Sequence, residues 1–94
     1  MTFEEFKSTL AGAVPPAVAA PLEALWHDAR GDWVTAHRTA QDVEDSTGAW
    51  VHAYLHRKEG DLANARYWYR RAGQPEATDP LDAEWARIVA ALLT

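Results

Sequence analysis

The chain reads as an all-α domain of about six helices: two stacked antiparallel helical hairpins with a flanking helix at each end. Three observations predict this. Apolar residues recur at three- and four-residue steps along most of the sequence. No stretch alternates with the period of two that a half-buried strand needs. The pair Gly-Asp occurs twice, at Gly31-Asp32 and Gly60-Asp61, each time between two amphipathic segments. Joints that short oblige the flanking helices to fold back on one another. A length of 94 residues suits a single domain, 1–94, with one modest core.

The elements follow in order. Thr2 with Glu5 three residues later is a capping-box pattern, opening a helix that carries Phe3, Phe6 and Leu10. Gly12 and Pro15-Pro16 end it, so residues 1–20 form a helix and linker. The first hairpin spans 21–45. Pro21 suits the first turn of its opening helix, and Leu22, Leu25, Trp26 and Ala29 form the apolar stripe. Asp32 caps the return helix, on which Trp33, Ala36, Ala40 and Val43 share a face with His37 beside it. The second hairpin spans 46–73. Ser46 or Thr47 is the expected cap, and Val51, Tyr54 and Leu55 mark the buried side of its first helix. After Gly60-Asp61, the residues Leu62, Ala65, Trp68, Tyr69 and Ala72 make one face and Gly73 closes the helix. QPEATDP is a loop. A C-terminal capping helix fills 79–94, with Asp79 as cap, Pro80 in first position and Leu81, Trp85, Ile88, Val89 and Leu92 turned inward.

Composition narrows the function. The hydrophobic share of 48% and charged share of 24% are those of an ordinary globular protein, so the five tryptophans are expected mainly in the core. The absence of cysteine excludes disulfides, thiolate metal sites and a cysteine nucleophile, and fits a cytoplasmic location. MTFEEFKSTL does not read as a signal peptide, and no apolar run is long enough to span a membrane. A formal net charge of −5 argues against nucleic-acid binding, the one basic cluster being Arg66, Arg70 and Arg71.

Two groups of residues have chemical potential. His52 and His56 stand four apart, so both imidazoles share one helix face, with Glu59 one turn on. On a helical wheel this stripe lies away from Val51, Tyr54 and Leu55, which predicts partial accessibility. His27 matches His56 at the 29-residue offset of the two Gly-Asp joints and is expected to face it across the groove. His27, His52, His56 and Glu59 are therefore candidate metal ligands. Ala53 follows His52 where the HEXXH metalloprotease motif has glutamate, which excludes that chemistry. The histidines with Glu59 or Asp28 could move protons, but no nucleophile or phosphate-binding loop accompanies them. The second group comes from Tyr67-Trp68-Tyr69, whose rings diverge by about 100° per residue, leaving Tyr67 free. Trp50, Arg57, Asn64, Tyr67 and Arg71 are candidates for a polar-aromatic pocket, favoured chemistry at binding hot spots.

Gly60, Asp61, Ala65, Trp68, Tyr69, Arg71 and Ala72 resemble the second helix of a tetratricopeptide or Sel1-like repeat, and Gly31, Asp32, Ala36 and Ala40 fill the pattern more thinly. The likeness covers about residues 22–73. LWHDARGDW, WVHAYLHRKEGD and YWYRRAG also resemble a group of small bacterial proteins, a likeness that carries no chemistry with it. The repeat resemblance implies a groove, lined by the first helix of each hairpin, that takes a protein or peptide. The leading expectation is such a module, non-enzymatic, without cofactor, and able to pair as a homodimer. Trp26 and Tyr67 would anchor the partner, Arg30 and Glu59 would pair charges, and His27, His52 and His56 would supply switchable hydrogen bonds. The alternative is a small-molecule or metal-binding protein using His27, His52 and His56. A histidine–carboxylate hydrolase ranks third.

Overall fold

A computed structural model describes all 94 residues as six α-helices without strands. They are α1 (Phe3–Ser8), which runs into a 3-10 turn (Thr9–Ala11), α2 (Ala20–Ala29), α3 (Trp33–Gln41), α4 (Ser46–Glu59), α5 (Leu62–Ala72) and α6 (Leu81–Leu92). α2 packs on α3 and α4 on α5 as the two hairpins, α3 joins them by packing on α4, α6 lies against α2 and α4, and α1 packs on α6. No helix is long and apolar enough to cross a membrane.

Local chemistry explains the boundaries. The Thr2–Glu5 capping box is formed, with Glu5 N–H donating to Thr2 Oγ1 at 3.1 Å and Thr2 N–H to Glu5 Oε1 at 2.8 Å. The two Gly-Asp joints share one geometry. Gly31 (φ 83°) and Gly60 (φ 90°) occupy the left-handed region that a Cβ disfavours. Asp32 N–H then reaches back to His27 O, and Asp61 N–H to His56 O, both at 3.0 Å. Each aspartate carboxylate accepts the backbone N–H three residues on, at Thr35 and at Asn64. The 29-residue offset thus reappears as a repeated helix stop and start, with His27 and His56 in equivalent positions.

Some boundaries differ from expectation. Asp45, not Ser46 or Thr47, caps α4: its Oδ1 accepts from Gly48 N–H at 3.0 Å and from the Thr47 hydroxyl at 2.7 Å. A carboxylate one residue earlier reaches the free amides better than either hydroxyl. Asp79 does not cap α6, which starts after Pro80; its carboxylate binds Arg87 instead. Leu62, expected on the packed face of α5, is 48% exposed because it stands in the first turn beyond the reach of α4.

The core is one cluster of 19 buried apolar residues to which every α-helix contributes. α4 lies at its centre. Nine consecutive residues, Gly48 to His56, are buried, because α2, α3, α5 and α6 all pack on this helix. Trp26, Trp50 and Trp85 are buried, and Trp33 and Trp68 half-buried, so packing is the main role of the indoles as the composition suggested. The indole N–H groups of Trp26, Trp33 and Trp85 donate to the carbonyls of Thr9, Leu55 and Leu25.

Two carboxylates are buried in this core. Asp28 accepts from the Tyr54 hydroxyl and the Lys58 ammonium, both at 2.9 Å. Glu84, with no exposed surface, accepts from Arg57 Nη1 at 2.8 Å and from the Tyr69 hydroxyl. Arg57 also donates to the carbonyl of Asp79. These networks tie α4 to α2, α5, α6 and the loop before α6.

Candidate metal centre

His52 and His56 lie one turn apart on α4, as their spacing requires, with rings stacked at 4.7 Å between centroids. They are not partly accessible. Each is 6% exposed, because α3 and α5 cover the face that a single-helix projection leaves open. The residue that meets them is His37 of α3, not His27. His37 Nε2 stands 2.9 Å from His52 Nε2 and 3.4 Å from His56 Nε2. The three ligand nitrogens all lie within 4.8 Å of one another. His27 is outside this group: its Nε2 faces Glu23 Oε2 at 3.4 Å, and its ring meets the edge of Trp26.

Aromatic walls hold the imidazoles. His37 stacks on Trp33 at 4.9 Å and 14°, and His52 on Trp68 at 4.0 Å and 23°. The His37 ring stands nearly perpendicular to both others, at 80° and 76°, so its Nε2 edge points into the pair. His56 is oriented from behind, its Nδ1 lying 3.1 Å from Glu59 Oε1. A carboxylate there places the proton on Nδ1 and leaves a lone pair on Nε2. Asn64 Nδ2 approaches that Nε2 at 3.4 Å.

Electrostatics favour the uncharged form at His52 and His37. Burial, then the neighbouring His37 and His56, push the His52 pKa down to about 4. Burial and His56 lower that of His37, with Glu59 working weakly the other way. Neutral imidazoles are the form that binds metal. Tetrahedral zinc with Zn–N bonds of about 2.0–2.1 Å separates its nitrogens by about 3.3 Å. The 2.9 and 3.4 Å separations here bracket that edge. Glu59 and Asp61 form a second acidic grouping around His56, but Glu59 is engaged at Nδ1 and Asp61 caps α5.

A cavity of about 500 Å³ adjoins the centre, with His52, Trp68, Arg71, Glu44, Asp45 and Ser46 in its wall. The remaining expected site residues divide into two sets. Trp26 and Trp50 are core residues and offer no anchoring ring to a partner. Arg57 belongs to the Glu84 network rather than a pocket. Arg30 covers Trp26 at 4.7 Å and donates to the Leu10 and Gly12 carbonyls, fastening the N-terminal segment. Tyr67 is exposed, as the divergence of the triplet predicted, and accepts a hydrogen bond from Arg71 at 3.2 Å. Asn64 and Glu59 both lie beside His56. Sequence reasoning missed His37 as a member of the site. The available signal was its place beside the Trp33, Ala36 and Ala40 stripe of a helix that must pack on its neighbours.

No protein-family model matches the chain, and no curated protein or solved structure is similar enough to count as a relative. The likeness to tetratricopeptide repeats rests on the residues that carry it, and the site must be read from its own chemistry.

Proposed function

We propose that this protein binds a divalent transition metal of the zinc class through the Nε2 atoms of His37, His52 and His56, with Glu59 fixing His56. One observation carries the reading: three imidazole nitrogens from two helices converge within 4.8 Å, and the two separations that involve His37, 2.9 and 3.4 Å, lie near a tetrahedral edge. Three imidazoles that point at one another share ring protons when no metal is bound, and a cation in their midst would replace those protons. Imidazole sets of this kind suit zinc, nickel, copper and cobalt more than magnesium or calcium. The indole walls and Glu59 orient the ligands in advance, as supporting residues do in metal sites.

The helical-repeat reading, a surface for a protein or peptide, keeps Tyr67 and Arg71 as exposed residues. It loses Trp26, Trp50 and Arg57 to packing, so the metal reading takes precedence.

Calorimetric titration of the tag-free protein with zinc tests the proposal. The expected result is one equivalent per chain. A ligand at 100 times its Kd stabilises the fold by about 2.7 kcal/mol, so the melting temperature should rise by more than 10 °C, at roughly 4–8 °C per kcal/mol. His37→Ala should weaken binding at least about tenfold, on the scale of losing a supporting contact or more, whereas His27→Ala should not change it. Equal affinity in His37→Ala and the parent would refute the site.

A further inference from the structure

We propose that the cleft bounded by α1, α2 and α6, on the face of α4 turned away from the histidines, binds a small neutral aromatic molecule carrying a hydroxyl or carbonyl oxygen. It is a second site and does not depend on the metal reading. Tyr54 and Lys58 follow His52 and His56 by two positions each, about 200° around the helix axis, so α4 shows the histidines to one side and this pair to the other.

The shape of the cleft gives the first ground. It encloses about 630 Å³, room for a two-ring molecule. Phe3, Leu10, Leu81 and Trp85 form its apolar wall. Trp85 is buried, but Phe3, Leu10 and Leu81 are only half-buried, so their remaining apolar surface faces one concave space. Apolar walls around a few polar groups are the usual make-up of a small-molecule site. The Phe3 and Trp85 rings meet edge to face at 6.1 Å between centroids. A third ring extends such a pair by the same kind of contact, which favours an aromatic occupant.

The charges give the second ground. Two ammoniums, Lys7 and Lys58, and two carboxylates, Asp28 and Asp82, line the cleft, so its formal charge sums to zero. Both carboxylates are engaged. Asp28 accepts from Tyr54 and Lys58, and Asp82 accepts from the Ala83 N–H at 2.9 Å. An entering anion would meet the buried Asp28 charge, and an entering cation would compete with Lys58 for it. A neutral molecule disturbs neither pair. The Tyr54 hydroxyl has committed its proton to Asp28, whereas Lys58 spends one of three ammonium N–H donors there and keeps a side chain 39% exposed. The cleft therefore offers a donor, and the ligand supplies an acceptor oxygen.

The test titrates the full isotope-labelled chain with naphthylmethanol, naphthoate and naphthylmethylamine, one aromatic body bearing a neutral, an anionic or a cationic group. Amide and indole NMR shifts report binding. Naphthylmethanol should give saturable shifts at the Trp85 indole N–H and at Leu81, Ala83 and Ala86. The two charged probes should bind at least about tenfold more weakly, since each brings an uncompensated charge against the apolar wall. Ala83→Trp fills the cleft from an exposed position in the first turn of α6 and should abolish the shifts while leaving the melting temperature unchanged. Absence of saturable shifts with every probe would overturn the site. Tighter binding of either ion would overturn the neutral class, and shifts that survive in a folded Ala83→Trp would overturn the location.

Discussion

Replacing Glu84 with alanine is expected to destabilise the fold by about 3–5 kcal/mol, the usual consequence of stripping one partner from a buried ion pair. The structure sets out why. Glu84 has no exposed surface, and its two oxygens take hydrogen bonds from Arg57 of α4 and Tyr69 of α5. The Arg57 side chain is only 16% exposed, so its charge would face the core without compensation. A domain of this size has a total stability of roughly 5–14 kcal/mol, so the loss is about a fifth of it or more. Tyr69→Phe removes one hydroxyl donor to a charged acceptor and should lose about 1.5–3 kcal/mol. The triple variant Arg57→Met, Glu84→Met, Tyr69→Phe replaces the whole network by apolar groups and should be less destabilised than Glu84→Ala alone, since it leaves no charge uncompensated. Urea unfolding followed by tryptophan fluorescence and helical circular dichroism measures all three. Glu84→Ala within about 1 kcal/mol of the parent, the typical effect of an arbitrary substitution, would show that this carboxylate is not buried against Arg57.

Two further outcomes follow from packing and charge. Gly48→Ala should destabilise by about 1–3 kcal/mol or more, although alanine is the better helix former by about 1 kcal/mol, because a Cβ at Gly48 would stand 2.3 Å from the Val43 carbonyl oxygen and 2.6 Å from Val43 Cβ; thermal melts of the two proteins decide it, and an equal or higher melting temperature would refute the close approach. Burial, then the Asp28 carboxylate, raises the pKa of Tyr54 above its ordinary 10, and burial with the Glu84 hydrogen bond does the same for Tyr69. A raised folded pKa gives stability that is complete below pH 10 and falls above it, where only the unfolded chain ionises, at about 1.4 kcal/mol per pH unit for each tyrosine. Unfolding midpoints at pH 9, 10 and 11 should show that fall, and Tyr54→Phe should lessen its slope; a flat profile would refute the burial of both hydroxyls.

The hairpins were legible because the devices that make them are local. A left-handed glycine followed by an aspartate ends one helix and starts the next within four residues, whatever surrounds them, and both joints behave so. The capping box at Thr2 and the helix stop at Gly73 are local in the same way. Burial of α4 was not legible. A wheel projection assigns one apolar face, but four helices pack on this one, and Trp50, His52 and His56 went under along with Val51, Tyr54 and Leu55. The same tertiary effect hid Glu84, a residue that local rules place on the acidic first turn of α6 and that only a distant arginine draws inward. It also explains why His37, rather than His27, meets His52 and His56. Equivalence under the 29-residue offset means that His27 and His56 occupy the same station in successive hairpins, each at the end of a first helix. Facing across an interface is a different relation. The helix that bridges the hairpins is α3, and the imidazole on its α4 side is His37.

The end of α4 shows how a helix can be buried and polar at once. Successive residues diverge by about 100° around a helix axis, so His56, Arg57 and Lys58 must leave α4 in three directions. Each direction holds a different partner: His37, Asn64 and Glu59 around His56, Glu84 opposite Arg57, and Asp28 beneath Lys58. No buried side-chain nitrogen or oxygen lacks a hydrogen-bond partner as a result. The two ion pairs join opposite charges and complete themselves without help. The triad joins three groups of the same kind, which compete as bases for one volume and repel if protonated. Of the three arrangements, it alone gathers groups of one kind that are neutral ligands when unprotonated, and that asymmetry is why the proposed metal is placed on the histidines rather than on either buried carboxylate.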